Sequence, residues 1–307
     1  MAGRGARNAH RIRPEFGRLN RIQVRAEDGH PIPLSILTPA EERGLRPFRG
    51  TIFVPPLLGG DPLQNFAFFA PLLDRGWHLA SLGYRGHRRT PGFFDLKSAR
   101  QDTLTAAEHL ACRDGTGPLV ALGACFAALP VLFTASRRPG LFQGLVFVNA
   151  VLSLRHICSP SEALSLCRRQ GTVRHLLDLP GWAHALAVAL FPGVDSSRAH
   201  FGTLAFARAK TLRCMVQYFL TGTVDGPLGF HGPSLCCYGR QDTLLRLDCP
   251  RGRARYERRF RDVLPRVRFF RHPACHWWRG QERTLVGTLA GFLDQISEAN
   301  SKMVATR

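Results

Sequence analysis

The chain has 307 residues, 45% apolar and 21% charged, a balance that excludes a disordered or collagen-like polypeptide and suffices for a large buried core. Its formal charge is +20, and every cation except Lys97, Lys210 and Lys302 is arginine, which reflects base composition as readily as an anionic partner. The nine cysteines are odd in number and form no C-x-x-C pair, against a disulfide framework or zinc knuckle and in favour of a reducing, cytoplasmic setting.

Residues 1–17 read as a basic arm, and no apolar run follows Met1–Arg13, so no secretory signal is expected. Arg18–Ala26 and Pro31–Leu37 alternate on either side of Asp28-Gly29, which predicts a hairpin. From residue 50 short apolar runs take over: Thr51–Val54, Trp77–Leu82, Pro118–Leu122, Gly144–Asn149, Ser234–Tyr238 and Val267–Arg271. Such runs suit strands buried on both faces. Between them lie helical patterns. Asn65–Arg75 ends at Gly76 and carries Pro71, Ser98–Ala111 starts at a Ser98 cap, and Glu282–Ile296 aligns Leu285, Leu289, Phe292, Leu293 and Ile296. The alternation predicts right-handed β-α-β units in a mostly parallel sheet of about eight strands, led by the antiparallel hairpin.

Residues 115–136 carry no charge, but Gly117-Pro118, Gly123 and Pro130 break them into a strand, a turn and a helix rather than a membrane span. Residues 153–230 lack a strand pattern. Helical pieces punctuated by Pro180, Pro192-Gly193 and Gly222 predict a cap inserted between strands. The expected organisation is a core of 18–152 and 231–298, a helical cap of 153–230 and a tail of 299–307.

The chemistry centres on Gly123-Ala124-Cys125-Phe126-Ala127, between a predicted strand and a predicted helix. A nucleophile on so tight a turn needs small neighbours two residues away on either side. The following helix N-terminus favours negative charge on the nucleophile and on an oxyanion beside it.

With this motif the chain resembles the α/β-hydrolase superfamily over residues 18–298. The resemblance implies an oxyanion loop in Phe53-Val54-Pro55-Pro56-Leu57-Leu58-Gly59-Gly60. It also places the R-G-H segment at Tyr84-Arg85-Gly86-His87. Further, it implies an acid at Asp242 in Tyr238-Gly239-Arg240-Gln241-Asp242 and a base at His276 in Ala274-Cys275-His276-Trp277-Trp278. The order nucleophile, acid, histidine is the family's. Cysteine replaces the usual serine at the elbow, as in dienelactone hydrolases and polyhydroxyalkanoate synthases. Pro55-Pro56 replaces the usual His-Gly pair, so the oxyanion donors would be the backbone N–H of Phe126 and one from Leu57 or Leu58. Pro130 would delete or strain a backbone bond early in the elbow helix.

Alternatives stand beside each assignment. Cys125 reads also as a buried structural cysteine, Asp248 as an alternative acid and His272 as a rival base. The expected activity is hydrolysis of a carboxylic ester or thioester through an acyl-cysteine, with a Cys125–His276–Asp242 triad and without metal or organic cofactor. The apolar predicted cap, with Trp182 and Phe191, points to an apolar acyl part. Other readings are an acyltransferase or synthase using the same intermediate, and a non-catalytic hydrolase-like binding protein. No pattern for sequence-specific nucleic-acid binding is present. Pro250–Arg271 holds nine arginines and two acids, with Arg251, Arg255, Arg258 and Arg259 at helical spacing. That predicts a solvated face, or else an anchor for an anionic carrier or membrane surface.

Overall fold

The hairpin forms where the alternation and the Asp28-Gly29 turn predict it. Strands β1 (Arg18–Arg25) and β2 (Pro31–Thr38) pair antiparallel, with Arg18 opposite Thr38 and Arg25 opposite Pro31. Gly29 closes the turn at φ 78°, and the Asp28 carboxylate accepts the His30 N–H. The computed structural model describes residues 17–40, 47–57, 60–87, 90–92, 94–113, 115, 117–152, 224, 226–243 and 245–305. The expected cap falls outside the described residues, apart from 224 and 226–230, as do Leu58 and most of the basic arm.

The remaining strands are β3 (Gly50–Phe53), β4 (Trp77–Leu82), β5 (Leu119–Ala124), β6 (Gly144–Val148), β7 (Ser234–Gly239) and β8 (Val267–His272). They join the hairpin in one eight-stranded sheet of order β1-β2-β4-β3-β5-β6-β7-β8. Pairing is antiparallel from β1 to β4 and parallel from there on.

Residues along each central strand alternate between two cores. Phe53, Ala80, Ala121, Phe147 and Tyr238 face one, while Ile52, Leu79, Val120, Val146 and Leu235 face the other. This is why the strands read as continuous apolar runs: both faces are covered. Helices α2 (Leu96–Cys112), α3 (Ala128–Arg137) and α4 (Pro250–Val263) cover the first face. Helices α1 (Pro62–Phe69) and α5 (Glu282–Ala305) cover the second, α5 through Leu285, Leu289, Leu293 and Ile296. Gly144 of β6 packs under the Ile296 side chain of α5.

Two local features differ from the sequence reading. The α2 cap is Asp95 rather than Ser98, its carboxylate accepting the Ser98 N–H and hydroxyl. The predicted Asn65–Arg75 helix is α1 followed by a 3₁₀ segment, Ala70–Arg75, with Pro71 in its first turn. Pro130 sits in the first turn of α3, which continues the 3₁₀ turn Cys125–Ala127 without a break, and it supplies no N–H to that turn. Among the described residues no helix is long and apolar enough to cross a membrane.

Candidate active site

The elbow is built by close approach. β5 ends at Ala124, and a 3₁₀ turn, Cys125–Ala127, leads directly into α3. A Cβ on Gly123 would meet Ala128 Cα at 2.7 Å, so only glycine lets strand and helix meet there. Cys125 between them has φ 46°, a conformation non-glycine residues rarely hold. The N–H of Val151 donates to the Cys125 carbonyl at 2.9 Å, tying the turn to the segment after β6.

Asp242 and His276, the acid and base expected from the sequence, arrive from neighbouring strand ends. Asp242 follows β7 and is fully buried. One carboxylate oxygen accepts the Leu245 N–H at 3.0 Å; the other accepts the Asn149 side-chain amide at 2.7 Å and meets His276 Nδ1 at 2.6 Å. His276 follows β8, and its side chain is only 7% exposed. Burial alone would lower its pKa. The bond to Asp242 and the neighbouring Cys125 outweigh burial and raise it from 6.5 to about 10. His276 Nε2 makes no hydrogen bond of good geometry among the described residues. Cys125 nonetheless lies close enough to raise the basicity of His276, so the two groups are apposed.

Cys125 and His276 line one cavity of about 220 Å³, walled by Leu57, Phe68, Phe69 and Trp277. Leu57 therefore borders the same cavity as Cys125, and buried Phe126 follows Cys125 in the chain. The Pro55-Pro56 loop is held from below: the Val54 carbonyl accepts Ser81 Oγ at 2.6 Å and Asn65 Nδ2 at 3.1 Å, and the Pro55 carbonyl accepts Asn65 Nδ2 at 3.2 Å. The rivals lie elsewhere. Asp248 is exposed. His272 Nε2 meets Gln281 Oε1 at 2.9 Å, and its ring lies nearly parallel to those of Phe270 and Trp278. Arg85 of the R-G-H segment is structural, bonded to Asp102 and Asp28.

Sequence reasoning missed Asn149. It is buried, has φ 42°, and makes three bonds that converge on the site. Besides its bond to Asp242, its carbonyl oxygen accepts the Gly239 N–H at 3.1 Å and the Trp278 indole N–H at 3.0 Å. An asparagine ending an apolar strand was the available signal. Trp278 also holds a left-handed backbone, φ 54°, so Cys125, Asn149 and Trp278 concentrate strain around one cavity. Cys275 is a second notable thiol. Burial would raise its pKa, but backbone N–H groups of Arg279, Trp277, Cys275 itself and Trp278 outweigh that and lower it. Among the described residues no group of three or more His, Cys, Asp or Glu could hold a metal ion.

No protein-family model and no curated protein matches the chain. Solved structures do. Brefeldin A esterase, a bacterial homologue of human hormone sensitive lipase, is similar with a TM-score of 0.60 and 15% identity, over 93% of this chain and 78% of its own. An esterase from Pyrococcus furiosus gives 0.59 at 13% identity, over 92% and 93% of the two chains. A serine hydrolase without lid from Xanthomonas campestris gives 0.54 at 14%, over 90% and 94%. Where that protein is a serine hydrolase, the strand-to-helix turn here carries Cys125. Identities this low speak for architecture, and together with the sheet order and the hairpin they establish that this chain has the α/β-hydrolase fold.

Proposed function

We propose that the protein hydrolyses carboxylic esters or thioesters through an acyl-cysteine at Cys125. The observation that carries this reading is one imidazole with two faces. His276 Nδ1 is 2.6 Å from a buried carboxylate, while the same ring borders the cavity that holds the strained Cys125.

The raised basicity of His276 suits it to take the Cys125 thiol proton, and Asp242 stabilises the imidazolium that results. Sulfur then attacks the substrate carbonyl carbon. The carbonyl π electrons move onto oxygen, and the backbone N–H groups of Phe126 and Leu57 are the candidates to donate hydrogen bonds to that oxyanion. Collapse expels the alcohol or thiol, which leaves with the proton from His276. Water then adds to the acyl-cysteine with His276 as base, and the acid and free thiol are released. Asn149 is a positioning residue: it fixes the Asp242 oxygen that orients His276. The cavity of about 220 Å³ lies below the roughly 300 Å³ of common drug-sized sites, and its aromatic walls suit a short apolar acyl group.

The test is turnover of a panel of short-chain p-nitrophenyl esters and acyl thioesters by the purified protein and by Cys125→Ala. Turnover lost in the variant while its circular dichroism is retained supports the reading. Equal turnover by both proteins removes Cys125 from the chemistry.

A further inference from the structure

A second cavity, of about 260 Å³, has Arg246, Arg251, Arg255 and Arg259 in its lining together with apolar Leu152 and Leu245 and with Tyr256. Three of these arginines recur every fourth residue along α4, so they share one face. Arg258, exposed, stands outside the cavity, so the stripe expected from sequence is divided between a lining and a solvated part. The carboxylate of Glu257 is turned away and taken by Arg261 and Arg271. Among the described residues Arg251 and Arg255 pair with no carboxylate.

The fourth arginine is brought in by a constrained backbone. Arg246 has φ 56°, and a Cβ on Gly252 in the first turn of α4 would meet the Arg246 carbonyl at 1.8 Å. Glycine at that position lets the turn press against the helix. Arg253 Nη1 holds the same turn through the Leu247 carbonyl at 2.8 Å, and the Gly252 N–H donates to Cys249 Sγ at 3.3 Å. The cavity also shares its supports with the candidate active site. Leu245 in its wall donates its N–H to Asp242, and Tyr256 donates its hydroxyl to the carbonyl of Ala150, next to Asn149. Both cavities therefore sit at the C-terminal edge of the parallel strands, the edge where open α/β sheets bind ligands.

We propose that this arginine-lined cavity binds a phosphate group carried by the substrate, and that the ester or thioester acted on at Cys125 is therefore a phosphorylated one. The guanidinium groups of Arg251 and Arg255, with Arg246 and Arg259 in the same lining, match the charge and fork geometry of phosphate oxygens, while Arg259 also donates to the Val224 carbonyl. Apolar Ala150, Leu152 and Leu245 in the lining accommodate the carbon chain that bears it. This inference rests on the hydrolase reading above.

The test uses Arg251→Gln/Arg255→Gln, whose side chains are exposed, so that the fold is retained and checked by circular dichroism. One arm measures the binding of inorganic pyrophosphate by calorimetry. The other compares turnover of S-butyryl pantetheine with that of the same thioester bearing a terminal phosphate. The double variant should weaken pyrophosphate binding about tenfold, and should lower the ratio of kcat/KM for phosphorylated over unphosphorylated thioester by a similar factor. A ratio that does not change overturns the proposal. Binding to anionic phospholipid vesicles that is lost in the variant, with the ratio unchanged, assigns the arginines to a membrane surface and overturns it too. If neither thioester turns over, the hydrolase reading fails, while the pyrophosphate arm still decides whether the cavity binds phosphate.

Discussion

Asn149 holds Asp242, the Gly239 N–H and the Trp278 indole at once, from a left-handed backbone at the end of β6. Asparagine tolerates that conformation better than other side-chain-bearing residues. Asn149→Ala leaves two buried donors without an acceptor, at about 1–3 kcal/mol each, and adds about 1–2 kcal/mol of backbone cost. Denaturant melts should show the combined loss. In Asn149→Gly the backbone part should return and the hydrogen-bond part should not. Turnover should fall about tenfold to hundredfold in both, because a loosened Asp242 misplaces His276. A variant with wild-type turnover would mean that the acid is held adequately without Asn149. No motif contains this residue, and its role becomes visible only once the ends of β6, β7 and β8 lie side by side. Cys125, Asp242 and His276, by contrast, were legible from order and context. Each follows a strand, and Gly123 and Ala127 keep the elbow small.

At the scale of elements, Arg85 links the loop after β4 to α2 and to the hairpin turn. Its guanidinium binds both oxygens of fully buried Asp102 and both oxygens of Asp28. The Asp28 carboxyl is pulled down to about 2, mainly by that hydrogen bond. Asp102 is raised instead, because burial outweighs the same arginine. Breaking a buried pair by removing one partner typically costs about 3–5 kcal/mol. Asp102→Ala should therefore lower stability by about that much in a urea titration, with little change in the chemistry at Cys125. A loss below about 1 kcal/mol would show that Asp28 alone satisfies the arginine. The elements themselves were largely readable, since strands buried on both faces leave continuous apolar runs. Their ends were less so. Asp95 displaced Ser98 as the α2 cap because its extended backbone turns its carboxylate onto the Ser98 N–H. Helix α5 runs on to Ala305, past the last residue of the apolar stripe, where periodicity carries no further signal.

For the whole molecule, the positive charge has a structure that composition conceals. Part of it faces solvent on α4 and part lines a cavity that forms only when the turn at Arg246 folds against Gly252. No sequence spacing predicts that closure, because Arg246 lies outside the helix. Stability should also carry the signature of the His276–Asp242 pair. His276 is raised from 6.5 to about 10 in the fold, so its contribution is complete below about pH 6.5 and disappears as pH rises through 10. Asp242→Asn removes the cause of that rise. The stability advantage of the wild type over this variant should be largest at pH 6 and shrink toward pH 10, as read by urea unfolding at a series of pH values. An advantage that grows with pH would contradict the assignment of His276 as the raised group.

The central claim is a covalent bond at one sulfur, and mass spectrometry reads it directly. After brief incubation with an activated short-chain ester and acid quench, the account predicts an acyl adduct on the peptide containing Cys125. Buried Cys236 and Cys237, whose pKa values are raised by desolvation, should remain unmodified. Cys275 is the informative control, since its lowered pKa and partial exposure make it the competing thiol. Acyl label on Cys125 that appears and decays at the rate of product release is the predicted result. Label confined to Cys275, or turnover with Cys125 unmodified throughout, would contradict it.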